Sequence, residues 1–152
     1  MNLELLKQAA IFADLTEDEL DKLAEICKEQ SFKSAATIFK EGEKGNRLYI
    51  ISQGDVRISR DVPGSGEEAL TVLKPGACFG EMAVFDRSER STDAIANTDC
   101  TLITISRPDF EMFLDFDRDL AYKILWSVVK LLSERLRITN DNLRSFLAMS
   151  MF

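Results

Sequence analysis

The residues of this chain whose types and spacing could do chemistry are Gly80-Glu81-Met82-Ala83 and, nine to eleven positions after the acid, Arg90-Ser91-Thr92. Gly80 and Glu81 open a short helix-prone turn. N–H groups at such an opening have no intrahelical partner and carry a partial positive charge, so they favour an anion. Gly80 and Ala83 are small enough to let that anion approach the backbone. Arg90 supplies a planar, permanently charged fork that matches phosphate oxygens in pairs, as a lysine ammonium cannot. Glu81 repels phosphate, so its presence implies a ligand that also offers a hydroxyl donor, such as a ribose 2′-OH, with Arg90 offsetting the charge.

The elements that must position these residues follow from the hydrophobic period. Residues 2–29 read as helical with a break. Leu5, Leu6 and Ala9 make a short stripe, and Ile11 and Phe12 form a staple ahead of Thr16. Thr16-Glu17-Asp18-Glu19 has the Thr-x-x-Glu form of a capping box, before Leu20, Leu23, Ala24 and Cys27 at helical spacing. From Phe32 to Ile105 the period changes to two. Thr37–Phe39, Leu48–Ile51, Val56–Ile58, Ala69–Leu73 and Leu102–Ile105 read as strands, separated by turns rich in Gly and Pro. Many short strands at this spacing predict a double-sheet jelly roll or barrel. Pro108 opens a helix through Leu114, capped near Ser106 or Arg107. A tract from about Arg118 to Leu147, free of Gly and Pro, predicts a long helix. The fold class is therefore α+β and mainly β. A single domain over 1–152 is expected, with N-terminal helices in 1–30, strands in 31–106 and C-terminal helices in 108–147.

The long helix carries two apolar stripes. Leu120, Ile124, Val128 and Leu131 face the strands. Tyr122, Leu125, Val129, Leu132, Leu136, Thr139, Leu143 and Phe146 alternate steps of three and four, a heptad seam. A lone domain hardly covers both stripes, so a parallel homodimer through this helix is expected.

Composition narrows the function classes. Apolar residues are 45% and charged residues 30%, an ordinary soluble balance. The net charge of −7 argues against a broad nucleic-acid surface. No window reaches the roughly eighteen uncharged apolar residues of a membrane helix, and the start has no signal-peptide pattern, so a cytoplasmic protein without membrane contact is expected. Three scattered cysteines suggest neither a disulfide framework nor a metal knuckle, and the absence of histidine removes the usual general base and metal ligand. No nucleophile–base pair or metal cluster can be assembled, so neither an enzyme nor a resident cofactor is expected.

Residues 79–96, from Phe79-Gly80-Glu81-Met82-Ala83 through Arg90-Ser91 to Ala94-Ile95-Ala96, resemble the phosphate-binding cassette of the cyclic nucleotide-binding domain family. In pattern the chain is most similar to the ligand-binding half of bacterial catabolite activator-like proteins. Glu89 stands where many members have proline, but that bacterial branch also reads Glu-Arg-Ser. Gly42, Gly45, Tyr49, Ile51, Gly54, Val56 and Gly76 match the family's turns and core strands, and Ala35 replaces a common turn glycine. The resemblance implies a ligand, cAMP or cGMP, with Arg90 on the cyclic phosphate and Glu81 on the ribose 2′-OH. The backbone at Gly80, Met82 and Ala83 and the Ser91 hydroxyl complete the phosphate end. It implies base contacts from Thr92, Ile58 and Leu70, and from Thr139 and Asn140 on the long helix, with the base at the dimer seam; Arg135, one turn earlier on that helix, belongs to this base-side group and lies near the ribose phosphate. Ser91 after the arginine leans towards guanine; Thr139-Asn140 leans towards adenine, and cAMP is the expected ligand. The activators continue into a helix-turn-helix domain, whereas here only Ala148–Phe152 follow the seam. A receptor without a DNA-binding domain, signalling to an unidentified effector protein, is therefore expected. Two alternatives stay open. One is a dimeric scaffold whose Glu81–Arg90 pair is left over from a pocket that no longer binds; the other is a sensor of haem, an iron–sulfur cluster or a cyclic dinucleotide.

Overall fold

The computed structural model describes residues 2–151; Met1 and Phe152, the ends of the expected domain, lie outside the described residues. Two helices open the chain: α1 (Leu3–Gln8) and, after a 3₁₀ turn at Ala10–Phe12, α2 (Glu17–Ala24). The capping box forms. The Thr16 hydroxyl accepts from the Glu19 N–H, and the Glu19 carboxylate accepts from the Thr16 N–H at 2.9 Å. Ile11 and Phe12 are not its staple. They are core residues on the 3₁₀ turn, and the residue directly before the cap is Leu15, itself buried.

Eight strands follow: β1 (Lys28–Phe32), β2 (Thr37–Phe39), β3 (Arg47–Gln53), β4 (Val56–Val62), β5 (Gly66–Leu73), β6 (Cys78–Phe79), β7 (Asp93–Ala96) and β8 (Cys100–Ser106). They form two four-stranded antiparallel sheets, ordered β1-β8-β3-β6 and β2-β7-β4-β5, a jelly roll rather than a closed barrel. Between β6 and β7 lies α3 (Glu81–Asp86), and after β8 come α4 (Arg107–Phe116) and α5 (Arg118–Ser150).

The helical region expected through residue 29 is shorter: α2 stops at Ala24 and β1 begins at Lys28. Lys28-Glu29-Gln30-Ser31 has no apolar alternation because β1 is a sheet edge exposed on both faces. What makes it a strand is its pairing with β8. The central strands show the opposite case. On β3, Leu48 and Ile50 face the helices, while Tyr49 and Ile51 face the space between the sheets; Ile103 and Ile105 divide from Leu102 in the same way on β8. Both faces are buried, which is why these segments read as unbroken apolar runs.

The helices close over the outer face of the first sheet. Leu6, Phe12, Leu23, Phe110, Leu120 and Ile124 are each no more than 1% exposed in one continuous core. On α5 the stripe Leu120, Ile124 and Val128 is buried as its spacing predicts, with Leu131 partly buried. Beyond Leu131 every described residue of the helix is exposed. Among the described residues no helix is long and apolar enough to cross a membrane.

Candidate functional site

Gly80 adopts φ 74°, the left-handed conformation that costs glycine nothing, and turns the chain from β6 into α3. No side chain caps this helix start. Arg90, ten residues on, returns beneath the turn. Its backbone is pinned to the β2–β3 connection, where the Arg90 N–H donates to the Glu43 carbonyl at 2.7 Å and the Gly42 N–H donates to the Arg90 carbonyl at 2.9 Å. Its guanidinium donates to the carbonyls of Gly80 at 2.8 Å and Arg47 at 2.7 Å. Its Cζ lies 4.1 Å above the centre of the Phe39 ring, a cation–π contact. Gly45 makes room for this packing, since a Cβ there would stand 2.7 Å from Arg90 Cζ and 2.4 Å from Ala83 Cβ.

Arg90 is only 6% exposed, yet no carboxylate among the described residues comes within 4.0 Å of it. Burial lowers its pKa from the ordinary guanidinium value, with partial opposition from Tyr49, Glu43 and Glu81. The side chain stays charged nonetheless. A buried cation held by two carbonyls and a ring face can take an anion, because burying a charge without a counter-charge is costly.

Glu81 is equally buried, at 6% exposure, but its partner is not Arg90. Arg135, reaching across from α5, places Nη1 2.6 Å from Glu81 Oε1. The angle is poor for a directed hydrogen bond, so the contact is an ion pair that leaves Oε1 without a proper donor. The pairing of Glu81 with Arg90 that a vestigial pocket would keep is therefore absent.

Between these groups lies a cavity of about 350 Å³, within the size range of about 300–1,000 Å³ usual for small-ligand pockets. One end is lined by Gly80–Ala83, Arg90 and Ser91, and the rest includes Phe39, Ile58 and Leu73. Of the residues singled out in the sequence, Gly80, Glu81, Met82, Ala83, Arg90, Ser91, Thr92, Ile58 and Arg135 line it. Leu70, Thr139 and Asn140 do not. Leu70 is 55% exposed because β5 alternates. Thr71 and Leu73, the cross-strand partners of Ile58 and Val56, face the cavity side, and Leu70 faces away. Thr139 and Asn140 stand one turn beyond Arg135 on the exposed half of α5.

Phe39, Thr71, Leu73, Cys78 and Ser88 also line the cavity and were not singled out, as do Phe79 and Glu89, which were named only as parts of the cassette motif. Thr71 faces inward through the register of β5 on β4, in which it stands opposite Ile58, and no pattern within β5 alone marks that face. Nothing local marks Phe39 or Arg47, which meet Arg90 only through the fold. Burial holds the Cys78 thiol well above its ordinary pKa, so it is an uncharged part of the wall. Among the described residues no group of three or more His, Cys, Asp or Glu side chains could hold a metal ion.

Comparison with known proteins places this geometry. A family model described as the cyclic nucleotide-binding domain matches residues 29–117. The chain is 32% identical over 140 residues to the CRP-like cAMP-activated global transcriptional regulator of Mycobacterium tuberculosis, covering 92% of this chain and 61% of that protein. It is 29% identical over 110 residues to the cGMP-dependent protein kinase egl-4 of Caenorhabditis briggsae, covering 71% of this chain and 15% of the kinase. The crystal structure of the Thermus thermophilus catabolite activator protein superimposes with a TM-score of 0.79 at 31% identity, over 88% of this chain and 61% of that one. The chain thus spans about three-fifths or less of the length of these proteins. With more than half of its residues inside the family model, the chain belongs to the cyclic nucleotide-binding domain family.

Proposed function

We propose that the chain acts as a non-enzymatic receptor domain that takes one cyclic nucleotide per chain, preferring cAMP to cGMP, and regulates a partner protein. The observation that carries this reading is Arg90, a buried guanidinium without a carboxylate among the described residues, facing a cavity that holds an uncapped helix start. A singly charged cyclic phosphate there receives the remaining N–H donors of Arg90, the backbone of Met82 and Ala83, and the Ser91 hydroxyl. Glu81 accepts from the ribose 2′-OH. Ile58, Thr71 and Thr92 flank the base.

Arg135 gives the signal a route. It holds the same carboxylate that the ribose needs, and it belongs to α5. Occupancy at Glu81 therefore bears directly on the helix, and a ligand that favours one helix position shifts populations towards it. The exposed stripe Tyr122, Leu125, Val129, Leu132, Leu136, Leu143 and Phe146 supports a homodimer along α5. That pairing would bring Thr139 and Asn140 of two chains towards the base, which favours adenine in this reading.

Titration calorimetry of nucleotide-free protein with cAMP and with cGMP tests it. The expected result is one site per chain with cAMP the tighter ligand. A reversed ranking would overturn the base preference. Absence of heat with either nucleotide would favour a scaffold built on α5 alone, for which the exposed stripe is the supporting observation.

A further inference from the structure

Away from the cavity, α4 presents an unpartnered face. Its inner side is core: Phe110 is 1% exposed, and Phe113 and Leu114 pack beside it. Pro108, Met112 and Phe116, four residues apart, share the opposite side. Met112 is 69% exposed and Phe116 92%, so a full aromatic ring stands in water at the end of the helix. Scattered apolar side chains on a surface are ordinary, but an aligned Pro–Met–Phe stripe with acids on both sides is a recognition pattern.

The charges around it specify the occupant. Residues 107–119 hold five acids against two arginines. Glu111 is paired with Arg87 at 3.0 Å and Asp117 with Lys22 at 3.6 Å. Asp109, Asp115 and Asp119 have no basic partner within 4.0 Å among the described residues. By helical angle Asp109 lies on one side of the stripe and Asp115 on the other, with Asp119 just beyond its end. A second copy of this chain fits badly, because a two-fold contact would set these acids against themselves. An anionic membrane surface would be repelled.

We propose that this face of α4 docks a basic amphipathic helix of a partner protein, its apolar side seated on Met112 and Phe116 and its lysines or arginines facing Asp109, Asp115 and Asp119. The inference names the class of partner for the regulatory reading above, but the surface stands whether or not the cavity takes a nucleotide. It also lies next to the cassette. Phe85 of α3 meets Phe110 edge-on at 5.6 Å, and Arg87 at the end of α3 reaches Glu111, so a shift of the cassette helix is felt by α4.

The test uses the full chain and two labelled designed peptides of about four helical turns. One carries leucine on one face and lysine elsewhere; the other carries glutamate in place of lysine. Fluorescence anisotropy should show saturable binding of the Leu/Lys peptide and none of the Leu/Glu peptide. The double variant Met112→Gln/Phe116→Ser should bind at least about tenfold more weakly, with its melting temperature and cAMP affinity unchanged. Asp115→Lys/Asp119→Lys should shift preference towards the Leu/Glu peptide. Equal binding by wild type and Met112→Gln/Phe116→Ser, or none by wild type, would overturn the proposal. So would conversion of a dimer to a monomer by that variant, which would assign the face to a second copy. Retained peptide binding in a wild-type protein that ignores cAMP would support the surface while counting against the nucleotide reading.

Discussion

Arg90 is anchored by carbonyls and an aromatic face rather than by an acid, and this sets what its neighbours can be. Gly45 is the least replaceable of them, because a Cβ there would stand 2.4 Å from Ala83 Cβ and 2.7 Å from Arg90 Cζ. We expect Gly45→Ala to tilt the guanidinium and lower cyclic-nucleotide affinity by about tenfold, roughly 1.4 kcal/mol, which calorimetry would detect. Ala35 makes the opposite case. It holds φ 73°, where its Cβ crowds the backbone, in a turn that glycine would form without strain. Ala35→Gly should therefore raise stability by about 1 kcal/mol in urea unfolding, an unusual gain for a mutation to glycine. The identities of Glu81 and Arg90 were legible in the sequence because their chemistry is carried by type and spacing. Their partners were not. Glu81 meets Arg135 and Arg90 meets the Arg47 carbonyl across long stretches of chain, and no local pattern encodes such contacts.

At the scale of elements, α2 is tied to α5 through one side chain. Lys123 donates to Glu19 Oε1 at 2.7 Å, the same oxygen that closes the capping box at Thr16. Burial pushes the Glu19 pKa up, but the hydrogen bonds from Lys123 and Thr16 outweigh it and hold the carboxyl below its ordinary value. A depressed folded-state pKa contributes stability above the unfolded value, and that stability is lost as pH falls through the folded one. Glu19→Gln should cost about 1 kcal/mol near neutral pH, and the deficit should shrink as the pH drops below the ordinary carboxylate range. Denaturant titrations at several pH values would reveal it, and a deficit that does not change with pH would contradict the assignment. Thr16-x-x-Glu19 was readable because a cap is local. Strand β1 was missed for the converse reason: Lys28–Ser31 has no burial pattern of its own and is a strand only because β8 lies beside it. Leu70, a base contact implied by the resemblance, faces away from the cavity because the inward face of β5 is set by its register with β4.

Among the described residues the cavity at Arg90, the outward face of α4 and the outer half of α5 are all left uncovered. The spacing of Leu120, Ile124, Val128 and Leu131 foretold which stripe of the helix is buried, because helical periodicity reports burial directly. It could not say what covers the second stripe, where Leu136 is 61% exposed. We expect sedimentation of the wild type at twice the 17.2 kDa chain mass and of Leu136→Glu at the single-chain mass. A wild type that sediments as a single chain would remove the dimer from the account. The central claim is that a cyclic phosphate completes the buried site at Arg90. The most direct measurement compares the thermal unfolding of wild type and Arg90→Ala with and without saturating cAMP. Ligand binding only to the folded state should raise the wild-type midpoint by several degrees, equivalent to about 2–4 kcal/mol at 100–1,000 times Kd. Arg90→Ala should unfold cooperatively near the ligand-free wild-type midpoint and show no shift. An equal cAMP-induced shift in both proteins would contradict the account.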